Sequence, residues 1–262
     1  ALGPWAEPNI YTSFTPQYEG QTAFSPGHYR EMLNAAYSAV KAVDPKMLVV
    51  TAGPSPYGGS PGGNRVRPVQ FYRELLCVHE AKKKKKKKGG ASKRVFVRTQ
   101  NCPAPARFDV LAHHPINTSG GPRRAAINPD DASSADLDRI VRVLRGAEAA
   151  GTALPGRHPV WADEFWWDSN PPNPVAGVPL GVHARWIEEE LFLLWKDGAS
   201  VAINFLIRDN PDASPGAGIV QSGLFFADGQ PKPAYTAFRF PFVTERIDKR
   251  MLRAWGKAPS GG

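Results

Sequence analysis

Glu7 and Glu164 are the residues whose types and settings point most directly to chemistry. Glu7 lies in Trp5-Ala6-Glu7-Pro8-Asn9, and Glu164 lies in Trp161-Ala162-Asp163-Glu164-Phe165-Trp166-Trp167. Cleaving a glycosidic bond takes two carboxyl groups on either side of a sugar. One protonates the leaving oxygen, and the other attacks the anomeric carbon or activates water. The neighbouring indoles offer flat apolar faces on which pyranose rings can lie. Each motif has a plainer reading. A Glu-Pro step can merely begin a turn, and Asp163-Glu164 can be a solvated pair. Both motifs, however, sit at the apparent end of a strand, and that shared placement favours the chemical reading.

The elements that would carry them alternate. Apolar residues at Tyr29, Leu33, Ala36, Val40 and Val43 form a helical stripe that Pro45 ends. Met47–Ala52 reads as a buried parallel strand stopping at Gly53-Pro54. Val69–His79 reads as a second helix, and Phe108–Ala112 as a strand ending in His113-His114-Pro115. Ser134 is placed to cap a helix striped by Leu137, Ile140, Val141 and Leu144. Pro159–Ala162 is a strand running into Glu164, Val182–Lys196 a long helix, and Ala199–Ile207 a further strand. Asn210–Gly223 reads as a loop, Pro231–Phe238 as a short helix, and Phe242–Trp255 as extended chain.

This βα repetition predicts an α/β fold with a parallel sheet. Chemistry-bearing residues recur at the C-terminal ends of successive strands, as in a (β/α)8 barrel. An open doubly wound sheet competes, but no glycine-rich phosphate loop accompanies it. Expected domain bounds are 1–240 for the barrel portion and 241–262 for a C-terminal β segment.

The chain has 262 residues and a formal charge of +9. Lys82–Lys88 supply seven of the 33 basic residues, and 33 − 7 = 26 against 24 acidic ones leaves +2. The basicity is therefore one local run, expected to be a solvated, mobile loop, and not the spread footprint of a nucleic-acid binder. No apolar run is long enough for a membrane helix, and no signal peptide is read at the N-terminus. Cys77 and Cys102 flank the lysine run. In an exported protein they would form a disulfide closing it; two unrelated thiols is the other reading.

Secondary candidates surround the glutamates. Trp5, Trp166, Asn9, Tyr57 and Asn204 are candidate substrate contacts. Of Trp166 and Trp167, one is expected to face the cleft and one to pack, with Trp166 favoured as the platform. His113 and His114 are candidates for hydrogen bonds near the nucleophile or to sugar hydroxyls, with a structural role for either as the alternative. Their spacing matches no metal-ligand pattern, and no metal or cofactor is expected.

Taken in order, these motifs resemble clan A glycoside hydrolases over most of the chain. Trp5-Ala6-Glu7-Pro8-Asn9 resembles the Trp-Asn-Glu-Pro motif after that clan's strand four, and Lys41–Pro45 the helix end that follows. Asp109–Pro115 is similar to its strand six, Asp163–Trp166 to strand seven, and Gly229–Tyr235 to the segment closing many such barrels. The flavour is closest to bacterial secreted members of the xylosidase-like and cellulase-like branches. The resemblance implies a retaining mechanism on a β-linked poly- or oligosaccharide, with Glu7 as acid/base and Glu164 as nucleophile. It also implies an extracellular protein, expected to be a monomer, with strands four to eight present and strands one to three missing. Two departures stand out. Position 6 is Ala where the clan has Asn, and the clan's nucleophile-supporting Arg has no counterpart. A degenerate barrel fragment that binds glycans without cleaving them is the alternative.

Overall fold

The computed structural model describes residues 1–83, 93–118, 120–212 and 220–258. In chain order the elements are β1 (Tyr18–Glu19), β2 (Thr22–Ala23), α1 (Ser25–Val43), α2 (Pro68–Leu75), β3 (Val78–Lys83), β4 (Lys93–Arg98), β5 (Leu111–His113) and α3 (Leu137–Ala150). Then come β6 (Val160–Phe165), β7 (Ser169–Asn170), β8 (Val178–Pro179), α4 (Leu180–Lys196), β9 (Ala199–Asn204), α5 (Pro233–Arg239), β10 (Phe242–Arg246) and β11 (Leu252–Gly256). The three-stranded sheet has the order β5-β6-β9. Two compact units divide the chain: residues 1–114, 126–132 and 136–161, and residues 115–125, 133–135 and 162–262.

In the first unit, short extended segments lie side by side. Leu2 bridges Val49 and Val50 bridges Val110, both in parallel. Leu2 N–H donates to Leu48 C=O at 2.8 Å, Thr51 N–H to Val110 C=O at 2.9 Å, and Leu111 N–H to Pro159 C=O at 3.1 Å. This is the parallel succession that the βα spacing predicts. Buried side chains hold it. Val50, Val110 and Ala112 pack together with Trp161 against them, and Tyr29, Leu33, Phe71, Tyr72, Leu137, Ile140 and Leu144 are fully buried on the helices. Helix polar tips finish the job: Ala52 N–H donates to Tyr29 OH at 2.6 Å, and Tyr72 OH donates to Ala112 C=O. Lys41 on α1 pairs with Asp109 at 2.8 Å, and Val49 N–H donates to the same carboxylate. The stripe of α1 stops short of expectation, since Val43 is exposed.

Two boundaries differ from the sequence reading, each for a local reason. The second helix ends at Leu75, not His79, because Cys77 takes the left-handed conformation with φ 56° and turns the chain into β3. Ser134 does not cap α3; its hydroxyl donates to Pro115 C=O at 2.8 Å, and residues 134–136 form a 3-10 turn. Helix α3 does end as glycine chemistry dictates, at Gly151 with φ 65°.

The lysine run begins on an antiparallel hairpin of β3 and β4, in which Val78 pairs with Arg98 and Lys83 with Lys93. Sequence periodicity gave no sign of it. The loop expected over Lys82–Lys88 is overturned at Lys82 and Lys83, which pair with β4 as strand; the rest of it lies outside the described residues, as do residues 213–219 of the Asn210–Gly223 loop. Cys77 and Cys102 are disulfide-bonded at the base of the hairpin, with Cα atoms 5.9 Å apart. Phe96 of β4 lies over Gly146 of α3, where an added Cβ would come within 2.3 Å of the ring. Only glycine admits that contact.

In the second unit, β9 follows the end of β6, with Phe205 N–H donating to Phe165 C=O at 3.0 Å. Helix α4 buries Ile187, Phe192 and Leu194. Phe192 and Leu193 pack with Val243 of β10, and Trp255 of β11 joins them. The segment 242–256, read as extended chain, is thus an antiparallel hairpin packed on α4. The sheets are small and unclosed among the described residues, and the architecture is mixed α/β.

Candidate functional site

Glu7 sits where the chain leaves the Leu2 segment. Its N–H donates to Gly53 C=O at 3.2 Å, tying it to the end of the neighbouring 48–51 segment. Its φ is 45°, a left-handed conformation that costs a non-glycine residue about 1–2 kcal/mol. Such outliers persist where surrounding structure enforces them, and they concentrate at functional sites. The Glu7 side chain retains 24% of its exposure, and Oε1 lies 3.1 Å from Nδ1 of His114, a side chain only 7% exposed. His114 in turn is fixed by its own N–H, which donates to Pro54 C=O at 3.2 Å. Three strand ends of the first unit thus meet: Glu7, Gly53-Pro54 and His114. In the tautomer with the proton on Nδ1, the ring donates to Oε1 and leaves Oε2 for another partner.

The other candidates of this unit separate into exposed and buried. Trp5 is 46% exposed; its indole N–H donates to Ser13 C=O, and its ring meets Phe14 edge to face. Tyr57 is half-buried. Asn9 is fully buried, with its amide donating to Ser55 and Val66 carbonyls and accepting from Ser55 N–H. It braces the loops around Glu7 and has no surface to offer a sugar. His113 is also fully buried. Its Nε2 donates to Ala132 C=O at 2.9 Å, and Tyr72 packs against the ring edge. Of the two histidines, His114 is the one beside Glu7, where the sequence pointed to the nucleophile or a sugar.

In the second unit, Glu164 is half-buried near the end of β6, next to fully buried Phe165. The paired tryptophans divide. Trp167 is buried, donates to Gly120 C=O at 3.0 Å and packs on Trp186; Trp166 is half-buried. Asn204 ends β9 with 8% exposure, and its amide donates to Leu206 and Ser222 carbonyls. It reads as a loop brace more than a sugar contact. Sequence reasoning missed the group beneath these loops. Lys232, whose side chain is 0% exposed, lies 2.6 Å from Asp209, and its Nζ donates to Ser169 Oγ at 2.8 Å. A lysine enclosed by Pro231 and Pro233 was the available signal.

Burial sets the titration of the interior histidines. It pushes His113 down to about 3, the Ala132 bond opposing and the nearby His114 adding to the fall. Burial, with the Lys232 charge, pushes His183 down to about 4. An unfolded histidine titrates near 6.5. Between those values the unfolded chain binds more protons than the native one, so stability is full above about pH 6.5 and is lost as pH falls toward 3–4. Each group contributes a slope of up to about 1.4 kcal/mol per pH unit. Denaturant unfolding from pH 7.5 to 4.5 is expected to show this decline. His113→Gln, which keeps a donor for Ala132, is expected to flatten it; an unchanged slope would exclude His113 as its source.

No protein-family model matches the sequence, and the comparison with curated proteins found no match. Solved structures do match. The chain is similar to a family 39 glycoside hydrolase from the gut symbiont Bacteroides cellulosilyticus WH2, with a TM-score of 0.53 at 16% identity over 94% of this chain and 43% of that one. Over the matched residues the chain shares the fold of that glycoside hydrolase. It is also similar to a monomeric beta-xylosidase from Caulobacter crescentus CB15, with a TM-score of 0.49 at 17% identity over 95% of this chain and 48% of that one. A GH39 beta-xylosidase from Caulobacter crescentus gives a TM-score of 0.48 at 18% identity, covering 90% and 40%. The chain thus spans less than half the length of these relatives. The expected α/β class stands, the likeness to glycoside hydrolases is one of fold, and the sheets among the described residues are short pieces that do not close into a barrel. Among the described residues no helix is long and apolar enough to cross a membrane.

Proposed function

We propose that this chain supplies both carboxyl groups of a retaining glycoside hydrolase acting on a β-linked poly- or oligosaccharide. Its βα units would correspond to strands four to eight of a (β/α)8 barrel in an extracellular, monomeric enzyme. The observation that carries the reading is the Glu7–His114 pair at 3.1 Å, on a glutamate held at positive φ at a strand end. The glycoside hydrolase fold and Glu164 near the end of β6 support it.

In the first step Glu164 carboxylate attacks the anomeric carbon while Glu7 passes its proton from Oε2 to the leaving oxygen. The glycosidic bond breaks, and a glycosyl ester forms on Glu164. His114 donates to Oε1 throughout, so the carboxyl keeps its aim. In the second step Glu7, now a carboxylate, takes a proton from water. The hydroxyl attacks the anomeric carbon, and Glu164 leaves. This requires the two carboxyls about 5–5.5 Å apart, with no room for a water between them. Trp5 and Trp166 are proposed as sugar platforms.

Ala6 favours a second reading. The side chain before Glu7 offers no donor for a sugar 2-hydroxyl, a contact that normally strengthens in the transition state. A glycan-binding protein without turnover would have the same tryptophans. The test is the anomer first released from an aryl β-glycoside panel, followed by proton NMR. Retention supports the proposal, inversion refutes the double displacement, and binding without any release supports the second reading.

A further inference from the structure

We infer that Lys232 is a positioning residue that locks two strand-end loops of the second unit into one arrangement. Its consequence for catalysis rests on the glycosidase reading; the clamp itself does not.

The geometry is specific. The Lys232 ammonium has three N–H donors, and three acceptors from three chain segments surround it. They are Ser169 Oγ at 2.8 Å, the Asp209 carboxylate with Oδ1 at 2.8 Å, and Gln221 C=O at 3.4 Å. Ser169 lies five residues beyond Glu164, and Asp209 lies five residues beyond Asn204. One cation therefore grips the chain just beyond β6 and the loop just beyond β9. The acceptors are themselves cross-linked. Ser169 N–H donates to Gln221 C=O at 3.1 Å, Gln221 N–H donates to Asp168, and Gly223 N–H donates to Asp209 Oδ1 at 2.8 Å. Ser222 hydroxyl donates to Phe205 C=O, closing the set onto the end of β9. The lysine is fixed from its own side. Its N–H donates to Leu224 C=O at 2.9 Å, prolines stand on both flanks, and the ammonium lies 5.2 Å from the Phe226 ring centroid.

A buried ammonium is a costly way to stabilise a core, and hydrophobic replacements often serve stability as well. What it gives here is geometry: three directed bonds that apolar packing cannot reproduce. Trp166 and Glu164 precede the first gripped loop, and Asn204 precedes the second.

The test compares hydrogen exchange in the intact chain for wild type, Lys232→Met and the charge-neutral pair Lys232→Met/Asp209→Asn, which avoids stranding a buried carboxylate. Tyr72→Phe, in the first unit, controls for general loosening. The expected result is exchange at least tenfold faster in 165–173 and 204–212 for the double variant, with α4 unchanged, and a KM for aryl glycosides raised at least fivefold with kcat less affected. Exchange unchanged in both segments, or raised uniformly as in Tyr72→Phe, overturns the clamp. If wild type hydrolyses nothing, the glycosidase reading fails and the exchange pattern alone decides the clamp.

Discussion

Glu164→Gln is expected to lose aryl-glycoside hydrolysis by at least about a thousandfold, whatever the leaving group, while Glu7→Gln is expected to lose it in proportion to how poor that group is. The asymmetry follows from the two roles. A nucleophile is needed for every substrate, and its removal takes away the covalent route. An acid is needed only where the departing oxygen is too basic to leave as an anion. With a dinitrophenyl glycoside, the first step of Glu7→Gln proceeds almost unaided. With an alkyl glycoside it is expected to slow by about 10²–10⁴-fold, the usual contribution of general acid catalysis. The second step still lacks its base, so the glycosyl ester accumulates and a burst of dinitrophenolate precedes slow turnover. Azide, which needs no base to attack, is expected to restore turnover in Glu7→Gln and not in Glu164→Gln. Loss of kcat/KM, which reports the first step, independent of the leaving group in Glu7→Gln would remove that residue from the acid/base role. Wild-type rates in Glu164→Gln would remove the second carboxyl.

Asp209→Ala is the second large effect, and it acts on stability. The substitution leaves the Lys232 ammonium, fully enclosed, without its counter-charge. Breaking a buried pair from one side costs roughly 3–5 kcal/mol, a loss of about 10 °C in Tm for a domain of this size. The pH dependence is distinctive. Burial already holds the Lys232 ammonium below its ordinary value, with the Asp209 hydrogen bond and charge pulling it back up. Removing Asp209 removes that pull, and the native pKa falls further below the unfolded one. Between the two values the unfolded chain binds the extra proton, so the variant gains stability as pH rises toward about 10. The deficit against wild type is expected to be largest near neutrality and smaller at pH 9.5 in denaturant unfolding. A deficit constant with pH would mean that the lost contacts, and not the stranded charge, set the cost.

The sequence made much of this molecule legible. Helical stripes and proline stops located α1, α3 and α4, because a 3.6-residue period of apolar side chains reports a buried face directly. The β-branched runs located the strands, and glutamates at their ends marked the candidate site. The hairpin of β3 and β4 was hidden, since Val78–Lys83 has no clean alternation and its docking depends on Phe96 meeting the bare backbone of Gly146. A glycine that makes room for a ring from another segment leaves no local trace.

What the residue order determined alone was the alternation of strand and helix, the Glu7 and Glu164 motifs, the cysteine pair and the local origin of the positive charge. Only the tertiary structure decided which polar side chains lie beside Glu7 and which brace the frame. Asn9 and His113 had equal standing with Trp5 and His114 as candidates, yet the Asn9 amide and His113 Nε2 are turned onto backbone, while His114 meets Glu7 across 107 positions of chain. Lys232 likewise became significant only when Ser169, Asp209 and Gln221 closed around it. Hydrogen bonds act over about 3 Å, and which atoms come that close is a property of packing that no spacing along the chain encodes.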